Sequence, residues 1–344
     1  MKNILFIGDL NSYGRSYGRY LTLKKLNHVI IPLSHSIVTE DGLIKKPSFL
    51  YRLSNKFMMP FDQTKINKSI LNKLNKNYID TVWIENGITI FPNTLKLIKQ
   101  KYPFIKLISL SEDDMFQKHN QSLWYLKGLR YYDLVFTTKE YNLKELKSLG
   151  AKETHLFLDS YDERYHKPIR LNKNDIKIYS NDVSAIGAYE KERALTLLYL
   201  AKNGIEISVW GNGWHQMKES HKLLKINHEF LYEKNYSKAI IASKINLNFL
   251  RKVNRDEITS RSIEIPACGG FMLSERTDRH KKVFKEGIEV DYFDNNNELF
   301  NKIKYYLNND KERKRIARNG NKKCINSELS MRSQLEKIIQ KINI

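Results

Sequence analysis

The sequence predicts an α/β protein of two successive Rossmann-like domains, each a parallel sheet covered by helices. Three observations lead there. Short apolar runs alternate with helical patterns along nearly the whole chain, the pattern of parallel strands joined by crossover helices. The alternation pauses at a polar segment, Tyr161 to Asp175 with Pro168 inside it, and then restarts. The 344 residues also exceed what one core usually serves, since domains run to roughly 100 to 200 residues.

In the first series the apolar run Asn3 to Ile7 reads as a strand, followed by a glycine-containing turn and a helix to about Leu26. Strands are expected at His28–Pro32, Thr81–Glu85, Lys106–Leu110, Leu134–Thr137 and His155–Leu158. Helical spacing marks Lys65–Lys76, Pro92–Lys101, Trp124–Leu129 and Glu140–Leu149. Ser36 to Asp62 has weak periodicity, with a mobile loop expected at Met58, Met59 and Pro60. In the second series Lys177–Ser180 and Ser184–Ile186 read as extended and Gly187 as a turn. A helix at Lys191–Asn203, a strand at Glu206–Trp210 and the turn Gly211-Asn212-Gly213 follow. Further strands are expected at Ile245–Leu250, Phe271–Ser274 and Val290–Phe293, with helices at Tyr236–Ala242, Ser260–Ala267, Asn297–Leu307 and Asp310–Asn319. Leu335, Ile338, Ile339 and Ile342 share one face of a last, amphipathic helix that must dock on the body. The expected domains are residues 1–165 and 166–328, with 329–344 packing back as the C-terminal helix.

Composition narrows the class. Lys and Arg number 59 against 38 Asp and Glu, a net charge of +21, which draws in nucleic acid, anionic lipid or phosphorylated small molecules. No aromatic RNA-binding motif, recognition-helix pair or zinc finger accompanies the charge, so nucleic acid is an unlikely partner. Much of the Lys and Asn is spread along the chain as a solvated coat. The densest basic run, Lys311 to Lys323, is a candidate membrane-surface helix. Two cysteines, Cys268 and Cys324, form neither a zinc knuckle nor a disulfide framework. No metal site is expected. The start, Met1-Lys2-Asn3 before Ile4–Ile7, is too short for a signal segment, and no run reaches the roughly 20 apolar residues of a membrane span. A cytoplasmic protein, associated with the inner face of the membrane if its basic surface meets anionic lipid, is the expectation.

Two stretches carry chemistry. In "FIGDLNSYGRSYGRY" the glycines Gly8 and Gly14 do not make the dinucleotide fingerprint. The loop either brings its backbone to an acceptor or phosphate, with Ser12, Arg15 or Ser16 as contacts at a helix N-terminus, or is a plain strand-to-helix turn. In Ile245 to Leu307, Thr259, Ser260, Arg261 and Ser262 open a short helix whose amides and dipole favour phosphate. Arg261 adds a guanidinium fork. Glu264 stands three residues on, where its carboxylate can take two ribose hydroxyls, and Gly269-Gly270 turn the chain into the next strand.

The succession "SRSIEIPACGGFMLSE", "VFKEGIEVDYFDNNNEL" and "DKERKRIARNG" resembles the donor half of GT-B fold glycosyltransferases, and most closely the spore-maturation CgeB-like glycosyltransferases. Upstream, "VSAIGAYEKERALTLLYLAKNGIEISVWGNGW" is similar to that family's glycine turn, Glu-Arg helix and Gly-x-Gly-Trp sequence, and "WIENG" and "LSEDDMF" fit its first half. The resemblance implies two Rossmann-like domains facing across a cleft and transfer of a sugar from a nucleotide diphosphate donor, UDP- or GDP-type, to a glycan, lipid-linked or protein acceptor in cell-surface polysaccharide biosynthesis. It implies no cofactor and no metal, so helix N-termini and basic groups must stabilise the leaving diphosphate. Gly187, Arg193, Gly211, Gly213, Trp214, Thr259, Ser260, Arg261, Ser262, Glu264, Gly269 and Gly270 are then the donor-binding candidates. Asp256 or Glu257 matches the family's first glutamate imperfectly, because only six residues separate Glu257 from Glu264.

Candidates for the base or an acceptor contact are Asp114 and Asp113, just past a predicted strand, with Glu85 at another strand end as rival and His119 and His215 weaker. The alternatives are a non-catalytic nucleotide- or glycan-binding protein of the same fold and a nucleotide-sugar epimerase.

Overall fold

The computed structural model describes residues 1–40 and 43–343. Asp41 and Gly42, within the weakly patterned stretch, and Ile344, in the expected C-terminal segment, lie outside the described residues. The chain divides into two compact units, Met1–Leu158 joined by the segment from Met331 on, and Asp159–Ser330.

The first unit runs β1 (Asn3–Gly8), α1 (Arg15–Lys25), β2 (Val29–Ser34), α2 (Phe49–Lys56), α3 (Ile66–Lys76), β3 (Thr81–Glu85), α4 (Pro92–Lys101), β4 (Lys106–Ser111), α5 (Leu123–Gly128), β5 (Leu134–Thr137), α6 (Asn142–Ser148) and β6 (Thr154–Leu156). Its sheet is parallel in the order β2-β1-β3-β4-β5-β6. Position explains composition. β3, central, is buried at all five residues, as expected of a strand covered on both faces. β2, at the edge, is part-exposed and carries Pro32, which a central strand could not hold without losing a ladder bond. Pro92 opens α4 at a position where a missing N–H costs nothing.

The second unit runs α7 (Lys173–Tyr179), β7 (Asn181–Ile186), α8 (Lys191–Lys202), β8 (Ile207–Trp210), β9 (Leu224–Asn227), α9 (Glu233–Ala242), β10 (Ser243–Asn248), α10 (Ser260–Ala267), β11 (Met272–Glu275), α11 (Asp278–Val283), β12 (Asp291–Phe293), α12 (Asn296–Asn308) and α13 (Asp310–Asn326). The parallel sheet order is β12-β11-β10-β7-β8-β9. The strand order therefore reverses between β7 and β10, and ligands of open α/β sheets bind beyond the carboxyl ends of the strands at such a point. The core beneath is built from Val183, Leu197, Ile207, Val209, Ile245, Leu247 and Leu273 with Trp214. The last helix, α14 (Met331–Ile342), belongs to the first unit. Its Met331, Leu335, Ile338, Ile339 and Ile342 pack with Ile4, Phe6, Leu23 and Trp83.

Three expectations need correction. Lys177–Ser180 is not extended: Asn172 and Asp175 form a reciprocal capping box that starts α7, and the helix runs to Tyr179. Asp159–Tyr165, assigned by sequence to the first domain, lies in the second, where Tyr161 N donates to Leu329 O and the Ser237 hydroxyl to Tyr165 O. The weakly patterned Ser36–Asp62 stretch contains α2, none of whose residues is buried. No described helix is long and apolar enough to cross a membrane.

Candidate functional site

In the second unit the turn after β7 is braced from behind by the loop after β8. Gly187 N donates to Trp210 O at 2.8 Å and Tyr189 N to Asn212 O at 2.7 Å, while the Trp214 indole N–H donates to Gly187 O at 2.9 Å. The two loops touch backbone to backbone. A Cβ on Gly211, whose φ is 144°, would overlap the Gly187 carbonyl, so this position requires glycine. Trp214 is 1% exposed and belongs to the core; with Gly211 and Gly213 it shapes the turn from below.

Arg193 and Arg261 converge on the front of that turn. A Cβ on Gly187 would stand 2.9 Å from Arg193 Nη1 and 3.5 Å from the Arg261 Cζ. Arg193, on the first turn of α8, is only 6% exposed, donates through Nη1 to Ala188 O and lies over the Phe249 ring at 5.7 Å. Its Nε and Nη2 make no hydrogen bond, and neither does Arg261 Nε; the Glu190 carboxylate is 3.7 Å from Nη2. Burial and the neighbouring Arg261 charge push the Arg193 guanidinium down to about 10. Like charges packed together with unpaired donors are costly unless an anion completes them.

The N-terminus of α10 adds to the same positive field. Thr259, Ser260 and Arg261 are half-buried there, but Ser262 is fully buried. Its hydroxyl bonds His280 Nε2 at 2.8 Å and accepts from Asn248 Nδ2 at 3.0 Å and Thr259 N at 3.1 Å. Ser262 thus fixes the helix start onto β10 and α11 and does not face a ligand. Glu264, one turn on, accepts the Tyr236 hydroxyl at 2.9 Å, and its other oxygen is 3.9 Å from His166 Nδ1. Burial and this carboxylate push the Tyr236 phenol well above its ordinary value.

Gly269 and Gly270 do not reach the site. They close α10 through Gly269 N to Pro266 O and Gly270 N to Ile265 O, the usual glycine helix end, and lead into the start of β11, at the opposite edge of the sheet from the strand carboxyl ends. Sequence reasoning missed a cavity of about 360 Å³ beside Arg193, lined among others by Glu190, Phe249, Leu250, Lys252, Glu275 and Asn295. Glu275 ends β11 and accepts from Leu250 N at 2.6 Å; burial raises its carboxyl. The strand-end position in "FMLSE" was the available signal.

In the first unit, two of the three nominated carboxylates are locked into structure. Glu85 is 2% exposed and accepts two bonds from Arg19, at 2.6 and 2.7 Å, with Ser16 Oγ and Trp83 Nε1 as further donors. Asp114 is fully buried and accepts from Asn142 Nδ2 at 2.9 Å and Phe116 N at 3.1 Å. Neither is placed as a base. Asp113 is half-buried at the end of β4, its N–H donating to Ser111 Oγ. Arg15 is engaged by Glu112 at 2.8 Å, and Glu112 also takes Arg19 Nη1 at 2.9 Å; the two guanidiniums hold the Glu112 carboxyl at about 2 despite burial. Gly8 packs against Ser16, and Gly14 caps α1, with its N–H bonded to Asn11 O and Ser12 in the intervening turn. Unlike the α10 helix start, this loop meets its own carboxylates.

Residues 191–340 match the family model described as Glycosyl transferase-like. No curated protein matches by sequence. Among solved structures, the sucrose-phosphate synthase of Thermosynechococcus elongatus is similar at a TM-score of 0.70 and 11% identity, covering 99% of each chain. HepE from Anabaena in complex with UDP-glucose superposes at 0.68, with 12% identity over 100% of both chains. A glycosyltransferase from Rickettsia africae gives 0.62, at 15% identity, 99% of this chain and 97% of that one. The fold is GT-B.

Proposed function

We propose that this protein is a glycosyltransferase that moves a sugar from a nucleotide diphosphate sugar to a hydroxyl of a glycan, glycolipid or protein, in the manner of the CgeB-like enzymes. The observation that carries the reading is the pair Arg193 and Arg261, with three guanidinium nitrogens that make no hydrogen bond at the Gly187 turn beside the α10 N-terminus. A diphosphate is the dianion such a pair completes, and its charge grows as the sugar leaves, so the same contacts tighten in the transition state. Glu264 takes the ribose, its carboxylate oriented by the Tyr236 hydroxyl. UDP, the nucleotide of the UDP-glucose bound in the HepE complex, is the first donor nucleotide to try. Asp113 is the acceptor-side carboxylate retained for proton removal or acceptor contact, because Asp114 and Glu85 are committed to structure.

The acceptor is met at an anionic membrane surface, and α2 makes that contact. Phe49, Leu50, Leu53, Phe57, Met59 and Phe61 are 42 to 69% exposed. Lys45, Lys46, Arg52 and Lys56 accompany them, with no acidic residue from Leu43 to Phe61. A helix with bare apolar side chains and only cations is built to lie in a lipid headgroup layer. The basic run Lys311–Lys323 is a weaker choice, since α13 spends its apolar side chains Ile316 and Ala317 on the second core.

Incubation with UDP-sugars and a panel of glycans tests the activity. UDP release that depends on acceptor, with sugar found on the acceptor, is expected. Nucleotide binding without hydrolysis or transfer would make it a binding protein, and acceptor-independent conversion of the donor would make it an epimerase.

A further inference from the structure

A second cavity, in the first unit, has no role described above beyond sharing Lys45 and Lys46 with the basic stretch before α2. It measures about 180 Å³ and lies between the segment after β2 and the segment after β3. Because β1 sits between those two strands, the cavity spans the point where this sheet's order reverses, the usual ligand position of an open α/β sheet. Two buried polar atoms in its wall lack any hydrogen-bond partner, His35 Nε2 and Thr64 Oγ1. Leaving each unpaired is costly unless a ligand completes it. The wall is held firmly: His35 N donates to Gly8 O at 3.2 Å, Asn86 N to Leu110 O at 3.0 Å, and Ser111 Oγ to the Asn86 side-chain Oδ1 at 2.7 Å.

Among the described residues the lining carries Lys45 and Lys46 and no carboxylate, while the Asp9 and Glu85 carboxylates act on His35. The volume is below the roughly 300 Å³ at which drug-sized pockets begin, so the occupant is about one ring. Burial pushes the His35 imidazole down, and its Nδ1 is paired with Ser36 Oγ at 3.3 Å, which leaves Nε2 as the ring nitrogen open to a ligand hydroxyl.

We propose that this cavity binds a single acidic sugar unit, whose hydroxyls pair with His35 Nε2 and Thr64 Oγ1 and whose carboxylate or phosphate meets Lys45 and Lys46. Its role as an acceptor subsite rests on the glycosyltransferase reading; the binding itself does not. The experiment titrates glucuronic acid, glucose 6-phosphate and glucose into the full chain by ligand-observed NMR, with UDP and GDP titrated into the same samples. At least one acidic sugar binds about tenfold more tightly than glucose. His35→Ala and Thr64→Val each weaken it about fivefold to tenfold, and Lys45→Gln with Lys46→Gln brings it to the level of glucose, consistent with charge-assisted bonds. UDP affinity stays unchanged in every variant, which certifies their fold. The two acidic probes distinguish carboxylate from phosphate as the recognised group. Acidic sugars that bind no better than glucose, or that bind equally well to the variants, overturn the proposal. Acidic-sugar binding in a protein that ignores UDP and GDP supports the cavity and overturns only its acceptor role.

Discussion

Arg193 and Arg261 approach the same glycine, Gly187, from two different helices, α8 and α10. In the free protein this is a destabilising arrangement, since each charge opposes the other and burial strips Arg193 of water. Removing one charge therefore relieves strain in the free state and removes affinity in the bound one. Arg261→Gln should melt at or slightly above the wild-type temperature without nucleotide. It should also lose most of the rise that saturating UDP gives the wild type, a rise equivalent to about 2.7 kcal/mol at a hundredfold excess over Kd. Calorimetric melts with and without UDP check both halves.

Glu85 serves the fold. It is the buried counter-charge of Arg19, and taking one partner from a buried pair costs about 3 to 5 kcal/mol. Glu85→Gln should lower the unfolding free energy of the first domain, read from urea denaturation, by an amount in that range, while donor binding by the fraction still folded stays at the wild-type value. A large loss of turnover with unchanged stability would return Glu85 to the list of bases.

His280 makes the second domain sensitive to acid. Burial holds its imidazole down to about 4, against an ordinary value of 6.5. Between those values the unfolded chain takes up a proton that the folded one refuses, so stability is complete above pH 6.5 and falls as pH drops toward 4. The slope from this group is about 1.4 kcal/mol per unit at its steepest. Urea denaturation at pH 7 and pH 5 should show the loss, and His280→Gln should flatten it while lowering stability at pH 7 through the weakened bond to Ser262.

Membrane contact through α2 depends on both its apolar side chains and its cations. The full chain should float with vesicles of phosphatidylglycerol and phosphatidylcholine at low salt and much less with phosphatidylcholine alone. Replacing Phe49, Leu50 and Phe57 together by serine should abolish flotation even on anionic vesicles. Equal recovery with the triple variant would show that another surface holds the lipid.

The strands were largely legible because buried parallel strands are short apolar runs with polar ends; Thr81–Glu85 sits between Asp80 and Asn86-Gly87. α2 was not, because its apolar side chains face outward and so leave no core-facing stripe. At the site, Arg261 and the α10 start could be read from local sequence. Arg193 could be nominated but not shown to be buried, since that follows from Phe249 packing over it from a different strand end. Glu85 and Asp114 looked like ligand carboxylates by their strand-end positions. What commits them, Arg19 at 66 residues' distance and Asn142 at 28, is a tertiary fact. Gly269 and Gly270 mark a turn in any reading, but which edge of the sheet the turn occupies depends on the direction in which the chain leaves α10.

The most direct test of the central claim is isothermal titration of UDP into the wild type, Arg193→Gln and Arg261→Gln. Each lost guanidinium contact to a charged oxygen is worth about 1.5 to 3 kcal/mol, so each variant should bind about 10- to 100-fold more weakly than the wild type with the fold intact. Wild-type affinity in both variants would contradict the assignment of this pair to the donor diphosphate.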